Sequence, residues 1–418
     1  AMMAPDVNEK ENVKDVKEKT KAPAQDQVLD QDQHAEAAKG QKIQKKAKAV
    51  AKVDARGPPK GLAKVLEGHE IVGKIGEGSE GVVYVAQSKD EHKKRFAIKA
   101  YKTGSRKGVC TAAIREICLL RELKHPNVIQ LNKVHIAQKE RAVFLSYEYV
   151  SHDLAQIIRH YVAQQKKIPE YTIKSLLWQI LQGVNYLHSN WVMHRDLKPS
   201  NILIMSEGAQ QGTAKIADFG LARIFKSYLQ PLKANGVVVT LWYRAPELLL
   251  GAQHYSPAID MWAIGCLFGE LIRLRPLFYS EQLPGSRFQV NQMERIINIL
   301  GRPSTRSWSS LAEMDHWKNN TNNIKNYKPP KGKARRLESM LSLEKDDPAF
   351  VLLKRMLEYD PQKRISAADA LKHEYFHTKP YPGSNCFADS FGHERKKLPF
   401  QDRTLAARQK RRRQSGPS

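Results

Sequence analysis

The chain has 418 residues, of which 41% are hydrophobic and 8% aromatic, and a formal net charge of +26. It contains no run of about 20 apolar residues, which excludes a bilayer-spanning helix, and no signal-peptide pattern at its start. Its four cysteines have neither metal-ligand spacing nor a disulfide framework, so we expect a reducing compartment, cytosol or nucleus.

Residues 1–66 are rich in Lys, Gln, Ala, Asp and Glu and contain no aromatic residue. Such a segment buries too little apolar surface to offset the entropy of ordering, so we expect a disordered, basic and polar tail. Its bases nearly balance its acids, which disfavours a nucleic-acid-binding arm. The excess positive charge of the rest of the chain either attracts acidic partners or serves solubility alone.

A glycine-rich turn, Gly76-Glu77-Gly78-Ser79-Glu80-Gly81, separates two predicted strands, Ile71 to Ile75 and Val82 to Val85. The pattern GxGxxG alone is a weak signal, because it also opens dinucleotide-binding folds. Here a strand follows the turn, and Val83 completes GxGxxGxV, which favours a hairpin lid over phosphates. The alternative is an ordinary hairpin.

The next predicted strand carries Ala97, which is small enough to lie against an adenine ring, and Lys99, which can reach phosphates. A predicted helix from Thr111 to Leu123 then supplies Glu116 as a partner for Lys99. Ile114, Ile117, Leu120 and Leu123 recur at helical spacing, so we expect them to form the core face of that helix.

A predicted strand, Ala142 to Tyr149, leads into Glu148-Tyr149-Val150, which we expect to be a hinge whose backbone bonds adenine. Tyr147 stands just before this hinge. The following helix, Tyr171 to His188, has apolar residues along one side and is predicted to be a core helix that delivers the chain to the next loop.

That loop, His194 to Asn201, holds the residues that carry the predicted chemistry. Asp196 is placed to accept a hydroxyl proton, and Lys198 to neutralise a transferring phosphoryl group. Asn201 and the later Asp218 offer hard oxygen ligands, which Mg²⁺ prefers. A single aspartate here would more often be a cap or turn former, but the ordered set predicts phosphoryl transfer from ATP.

The sequence therefore predicts an α+β protein kinase fold of two lobes, with a small, mainly antiparallel β N-lobe that has one key helix and a larger α-helical C-lobe. The bounds are 67–150 for the N-lobe, 151–377 for the C-lobe and 378–418 for a C-terminal extension. The predicted ATP-binding residues are Ile75, Gly76, Glu77, Gly78, Ser79, Glu80, Gly81, Val83, Ala97, Lys99, Glu116, Tyr147, Glu148, Val150 and Leu203.

Two further acids are predicted to be structural. An activation segment is predicted between Asp218 and Ala245-Pro246-Glu247, and Glu247 is expected to pair with Arg364. Asp260, in an apolar helix from Ser256 to Ile272, is a buried acid that we expect to order the backbone of the catalytic loop.

Six segments carry a resemblance to a known family. Thr111–Glu116 and Val238–Glu247 resemble the cyclin-binding helix and the end of the activation segment of cyclin-dependent kinases. Leu187–His194, Asn235–Thr240 and Leu248–Tyr255 resemble, more narrowly, the Mediator-associated branch that pairs with cyclin C, and Met356–Pro361 resembles its plant and algal E-type form. The resemblance covers roughly residues 68–400.

This resemblance implies a nuclear serine/threonine kinase that phosphorylates Ser/Thr-Pro sites in transcription proteins, including the tail repeats of RNA polymerase II, within the Mediator kinase module. Its implied cofactors are ATP and Mg²⁺, and its implied partners are a cyclin, cyclin C, and Mediator subunits. In the family a pocket binds the residue that follows the phosphorylated serine or threonine, and the matching positions here are Val238, Val239 and Arg244. Cys110 and Thr111 stand where the family usually has Ser-Pro at the start of the cyclin-binding helix. Tyr147 stands where the family usually has Phe, at the back wall of the adenine site.

In the family a phosphorylated threonine is gripped by three arginines, which here match Arg115, Arg195 and Arg223. Asn235 occupies the position of that threonine and cannot carry phosphate. We therefore expect a partner to insert an acidic group into this cluster.

Two alternatives remain open from the sequence. One is another cyclin-dependent or mitogen-activated kinase, although a Thr-x-Tyr motif is absent between Asp218 and Glu247. The other is a pseudokinase scaffold. Near the end of the chain, the cluster Arg408 to Arg413 predicts a nuclear import signal or a contact with an acidic surface.

Overall fold

The computed structural model describes residues 61–62, 66, 68–78, 81–90, 92–101, 110–225, 241–254, 256–281, 289–329, 337–388, 398 and 400. Most of the predicted tail, Ser79 and Glu80 of the lid, the segment 226–240 and the basic cluster near the end of the chain lie outside these residues. Within the described ranges, no helix combines the length and the apolar composition that crossing a membrane requires.

The described chain forms a β-rich N-lobe and a mainly helical C-lobe. The strands are β1 His69–Glu77, β2 Gly81–Ser88, β3 Arg95–Tyr101, β4 Leu131–Ala137, β5 Ala142–Glu148, β6 His152–Asp153, β7 Val192–Met193, β8 Ile202–Ile204, β9 Ala214–Ile216 and β10 Arg223–Ile224. The α-helices are α1 Thr111–Glu122, α2 Leu154–Ala163, α3 Glu170–Ser189, α4 Pro246–Leu249, α5 Ala258–Arg273, α6 Val290–Leu300, α7 Asp315–Lys318, α8 Leu337–Leu341, α9 Pro348–Met356 and α10 Ala367–Leu371. This arrangement confirms the predicted fold class.

The N-lobe is built on one five-stranded antiparallel sheet with strand order β1-β2-β3-β5-β4. Alternation along the strands sends Ile98 and Phe144 to the outer face and Ala97 and Tyr147 to the inner face, which packs on the main core. Leu62 and Leu66, which the sequence analysis assigned to the tail, are buried on the outer face of this sheet.

Helix α1 covers the inner face of the sheet, but its buried side differs from the predicted one. Leu120 and Leu123 are buried as predicted, whereas Ile114 is 49% exposed. Glu116 lies inside instead, and a helix that turns this position inward must carry Ile114, two residues earlier, to the outside. The expectation that Ile114 belongs to the core was therefore wrong.

The C-lobe is organised around helices α3 and α5. All residues of α5 from Ile259 to Leu271 are buried, as expected of a central helix; most are apolar, and Asp260 and Glu270 are buried acids. Two small sheets, of order β6-β8-β9 and β10-β7, lie beside the end of α3 and carry the catalytic loop between them. Leu398 and Phe400, from the predicted C-terminal extension, are also buried, with the Phe400 ring 4.9 Å from that of His160.

A buried ion pair joins α4 to the segment after α9. The Nη1 and Nη2 atoms of Arg364 lie 2.8 and 3.0 Å from the two carboxylate oxygens of Glu247, and Nη1 also donates to the carbonyl of Ala258. This bidentate geometry confirms the predicted pairing. The pair fixes the end of the activation segment to the C-lobe core.

Replacing Arg364 with Ala should lower the free energy of unfolding by about 3–5 kcal/mol, because Glu247 would remain buried without its cation. Lys372→Ala is the matched control, since that side chain is 78% exposed and pairs loosely with Asp369 at 3.9 Å; its loss should cost at most about 1 kcal/mol. Denaturant titration of the two variants measures both values. Equal, small losses would contradict a structural role for the buried pair.

Candidate active site

A cavity of about 370 Å³ lies between the N-lobe sheet and the loop that follows α3. Every predicted ATP-binding residue that the structure describes lines it; Ser79 and Glu80 lie outside the described residues. The lining residues are Ile75, Gly76, Glu77, Gly78, Gly81, Val83, Ala97, Lys99, Glu116, Tyr147, Glu148, Val150 and Leu203. Gly81 begins β2 so close to β3 that a Cβ there would collide with the carbonyl oxygen of Ala100.

Lys99 is the central charge of this cleft. Its Nζ lies 2.7 Å from Glu116 Oε2 and 2.7 Å from Asp218 Oδ1. Burial would lower the pKa of Lys99, but the two carboxylates outweigh that effect and hold its pKa well above the usual value. Lys99 is therefore a permanent cation at the point where the N-lobe faces the C-lobe.

The loop after β7 places Asp196, Lys198 and Asn201 around one carboxylate oxygen. Lys198 Nζ and Asn201 Nδ2 lie 2.6 and 3.0 Å from Oδ2 of Asp196, and Nδ2 also donates to the Asp196 carbonyl at 2.8 Å. Pro199 starts a short 3₁₀ turn that bends Asn201 back towards Asp196. Residues that are neighbours in sequence thus converge on one side of the loop.

Asp260 on α5 holds the backbone of this loop through hydrogen bonds, as predicted from the sequence. Its carboxylate accepts from the backbone N–H groups of His194 and Arg195, at 2.9 and 2.8 Å, and contacts His188 Nε2 at 3.0 Å. Burial would raise the pKa of Asp260, but these hydrogen bonds and the histidine charges hold it below the usual value. Because Arg195 has φ of 70°, in the left-handed region, its backbone needs such fixed partners.

Asp218 follows β9 and has a φ of 71°, so its backbone is also in the left-handed region. Burial would raise the pKa of its carboxyl, but the Lys99 ammonium holds that pKa below the usual value. The next residue, Phe219, is completely buried with its ring 5.0 Å from that of His194. His194 Nε2 also contacts the carbonyl of Ala217 at 3.1 Å, which links the segment to the catalytic loop.

The three predicted arginines all lie beside the segment that follows Asp218. Arg115 on α1 donates to the carbonyl of Gly220 at 2.5 Å, and Arg195 donates to that of Leu221 at 3.3 Å. Arg223 stands on β10, and its Nε is buried without a hydrogen-bond partner in the described part of the chain. Asn235, Val238 and Val239 lie outside the described residues, whereas Arg244 follows the 3₁₀ turn Leu241–Tyr243.

A second cavity, of about 600 Å³, adjoins the catalytic loop at Lys198 and Ser200. Its wall includes Tyr243 and a buried acid of α5, Glu270, which is 6% exposed. The Tyr243 hydroxyl donates to Glu270 at 2.6 Å. Burial raises the pKa of Glu270 to about 7, although the bond from Tyr243 and the charge of Arg273 act in the opposite direction.

Four residues that were not predicted also line the first cavity: Ile129, Ser200, Ala217 and Leu221. Ser200, Ala217 and Leu221 are adjacent or close in sequence to Asn201 and Asp218, so proximity along the chain was a usable signal. Ile129 precedes β4, and backbone bonds between this segment and Ile216 bring it to the cleft. Tyr101, whose hydroxyl bonds Glu116, was not predicted either.

The donor set around the cleft fits ATP and a hard cation. Lys99 and Lys198 offer positive charge for phosphates, and Asn201 and Asp218 offer oxygen atoms. Among the described residues, no group of three or more His, Cys, Asp or Glu side chains is arranged to hold a metal ion. Mg²⁺ suits a site of this kind, because it keeps several waters and binds substrate phosphates through one or two protein ligands.

Comparison with known proteins places the chain in a family. The model of the protein kinase domain matches residues 69–376. Cyclin-dependent kinase E-1 of Arabidopsis thaliana is 49% identical over 329 residues, which are 78% of this chain and 69% of that protein. The chain belongs to the cyclin-dependent serine/threonine protein kinases.

Two further relatives of this kinase extend the same assignment. The probable cyclin-dependent kinase 8 of Dictyostelium discoideum is 42% identical over 352 residues, which are 83% of this chain and 89% of that protein. Cyclin-dependent kinase 8 of Drosophila melanogaster is 43% identical over 325 residues, which are 75% of this chain and 71% of that protein. The kinase domain implies the use of ATP, and the family implies a cyclin partner.

The Glu270 carboxyl should make the stability of this kinase depend on pH. Its folded pKa of about 7 exceeds the ordinary value of 4.5, so the folded state retains a proton that the unfolded state releases between these values. The stability that this proton contributes is complete below pH 4.5 and is lost as pH rises through about 7. Glu270→Gln keeps a hydrogen-bonding oxygen and cannot titrate.

The melting temperature of Glu270→Gln should therefore gain on that of the unaltered kinase as pH rises from 5 to 8. Tyr243→Phe removes a bond that lowers the Glu270 pKa, so it should move the pH-dependent loss to higher pH. Thermal denaturation across this pH range measures both effects. A difference between Glu270→Gln and the parent that does not vary with pH would contradict the raised pKa.

Proposed function

We propose that this kinase transfers the γ-phosphoryl group of ATP to serine or threonine residues followed by proline, with Asp196 as the base and Lys198 as the neutralising cation. The observation that carries this proposal is the convergence of Lys99, Asp196, Asn201 and Asp218 on one cavity. These side chains come from both lobes. Phosphoryl transfer from ATP needs a cation for the phosphates, a base and oxygen ligands for a metal ion, and this set offers all three.

ATP would supply the phosphoryl group, and a bound Mg²⁺ would neutralise the charge that spreads over the oxygens of that group. Asp196 accepts the proton of the substrate hydroxyl through its carboxylate, which Lys198 and Asn201 hold in place. Lys99 holds the α and β phosphates, and Glu116 keeps Lys99 in position. Asn201 and Asp218 would hold Mg²⁺ through their oxygen atoms.

The adenine ring would lie between the two lobes at the hinge. Ala97 and Tyr147 from the N-lobe and Leu203 from the C-lobe line the same cavity. Glu148 and Val150 offer hinge backbone groups in the same cavity. We infer that the glycine-rich lid binds the phosphates, through Ile75, Gly76, Glu77, Gly78, Gly81 and Val83 of the described residues and through Ser79 and Glu80, which lie outside them.

The preference for proline would come from the pocket formed by Val238, Val239 and Arg244. Proline fits a site that offers no acceptor for a backbone N–H, because it has none to satisfy. The second cavity, bounded by Ser200, Tyr243 and Glu270, adjoins the catalytic loop and is placed to take another part of the substrate chain.

Helix α1 is the proposed contact with the cyclin, which we infer to be cyclin C. Ile114 and Cys118 are exposed and lie one turn apart, so they form an apolar stripe on the side of α1 that faces away from the sheet. We also infer that an acidic group of cyclin C or of a Mediator subunit enters the cluster of Arg115, Arg195 and Arg223. Such a group would replace the phosphate that Asn235 cannot carry.

On this basis the kinase acts in the nucleus as part of the Mediator kinase module, and its substrates are transcription proteins such as the tail repeats of RNA polymerase II. The proposed domain organisation is a tail to residue 66, an N-lobe at 67–150, a C-lobe at 151–377 and an extension at 378–418. The basic cluster Arg408 to Arg413 would serve nuclear import. Resemblance to the cyclin C-partnered branch supports these assignments.

Asp196→Asn tests the base. It should lower turnover by about 10²–10⁴-fold, because the amide cannot take the proton, while the melting temperature and the affinity for ATP change little. The measurement is transfer of labelled phosphate to a Ser-Pro peptide in the presence of cyclin C. Turnover close to that of the parent would rule out Asp196 as the base.

A Ser-Ala peptide is the matched control for substrate choice. Equal rates on the Ser-Pro and Ser-Ala peptides would contradict the proline preference without affecting the base assignment.

The same assay, run with phosphatase-treated kinase before and after Mediator subunits are added, tests the acidic group proposed for the arginine cluster. Full activity that depends instead on phosphorylation of the kinase itself would contradict that part.

A further inference from the structure

The carboxylate of Glu116 is surrounded by three donors. Lys99 Nζ lies 2.7 Å from Oε2, and the Tyr101 hydroxyl donates to the same oxygen. The Tyr147 hydroxyl donates to Oε1 at 2.7 Å. Glu116 is only 1% exposed, so these protein groups replace the water that a surface carboxylate would bind.

The sheet explains why the three donors converge. Lys99 and Tyr101 are two residues apart on β3, so their side chains leave the same face. Tyr147 on β5 pairs with Ala97 of β3 and therefore stands on that face too. Glu116 projects from α1 onto this face, where the three donors meet it.

The two hydroxyls supply what Lys99 cannot supply alone. Lys99 divides its charge between Glu116 and Asp218, which lie at equal distances of 2.7 Å. A buried carboxylate needs several charge-assisted hydrogen bonds to offset its loss of hydration. Burial, followed by the charge of Glu116, raises the pKa of both Tyr101 and Tyr147, so both remain protonated donors at neutral pH.

We propose that Tyr101 and Tyr147 are positioning residues that hold Glu116, and with it helix α1, in the cleft, so that they favour from the inner face of α1 the same Lys99–Glu116 pairing that a cyclin favours from its outer face. The hydroxyl of Tyr147, which the family's usual phenylalanine lacks, bonds Glu116, while its ring lines the nucleotide cavity. This inference rests on the proposed function in one respect, namely that the cyclin contacts the outer face of α1.

The consequence is a specific pattern of dependence on the cyclin. The hydroxyls and the cyclin both favour the same position of α1, one from its inner face and the other from its outer face. Two contributions that favour one state of a two-state equilibrium are partly redundant once that state is filled. Removing the hydroxyls should therefore matter most when no cyclin is present.

The test uses the full chain with Tyr101→Phe, Tyr147→Phe and the double substitution, each of which removes only an oxygen atom. Tyr359→Phe is the matched control, because that buried hydroxyl donates to the carbonyl of Gly301 at 2.7 Å in the C-lobe. Peptide phosphorylation is measured at saturating ATP, without cyclin and with saturating recombinant cyclin C. Hydrogen exchange of the amides of residues 111–122 is measured in the same samples.

Without cyclin, each hydroxyl removed should lower activity by about 10-fold, the loss expected for one charge-assisted hydrogen bond. With cyclin C the loss should stay below about 3-fold. The amides of α1 should exchange faster in the variants without cyclin and return to the parent rate with it. Tyr359→Phe should change neither the activity nor the exchange of α1, with or without cyclin C.

Equal losses with and without cyclin, or no loss in either condition, would overturn the inference. If the unaltered chain alone is too slow to assay, hydrogen exchange of α1 decides, and exchange unchanged in the double variant would overturn it equally. Failure of the proposed function gives a different result: the parent would not phosphorylate the Ser-Pro peptide even with cyclin C, while exchange of α1 in the free chain would still respond to the tyrosine substitutions.

Discussion

The site depends on one buried cation, Lys99, which meets two carboxylates from different parts of the molecule. Glu116 belongs to α1 and Asp218 to the segment after β9, and each lies 2.7 Å from Nζ. Without the cation the two acids would repel each other across a cleft of low dielectric constant, so α1 and that segment can approach only through it. The position of the N-lobe helix and the position of the proposed metal ligand are therefore coupled through a single nitrogen atom.

The C-lobe supports the other half of the site through a second buried charge. Asp260 lies on the completely buried part of α5 and bonds two successive backbone amides of the catalytic loop. A rigid helix thus fixes the backbone, while Lys198 and Asn201 fix the carboxylate of Asp196. The proposed base is held at both ends, which is the preorganisation that phosphoryl transfer demands of a protein. Glu247 and Arg364 anchor the end of the activation segment to the same helix through the carbonyl of Ala258.

Much of this site was predictable because most of its chemically active residues lie in a few short stretches of the sequence. Strand and loop patterns placed Lys99, Asp196 and Asn201, and an acid near the start of a mainly apolar helix correctly indicated that Asp260 holds the loop. Contacts that depend on the rotation of a helix or on strand register were not predictable. Ile114 fitted an apolar stripe, yet α1 turns Glu116 inward and leaves Ile114 exposed. Tyr101 was not predicted as a site residue, because its hydroxyl reaches Glu116 through the pairing of β3 with β5 and the packing of α1.

The most direct test of the central role of Lys99 is single-turnover kinetics of Lys99→Met with cyclin C, together with the affinity for ATP. If Lys99 aligns phosphates and joins Glu116 to Asp218, transfer from bound ATP should slow by about 10²–10³-fold or more. ATP affinity should fall much less, because Ala97, Leu203 and the hinge still hold adenine. Lys133→Met, at an exposed position on β4, should change neither quantity. A single-turnover rate for Lys99→Met close to that of the parent at saturating ATP would contradict the account.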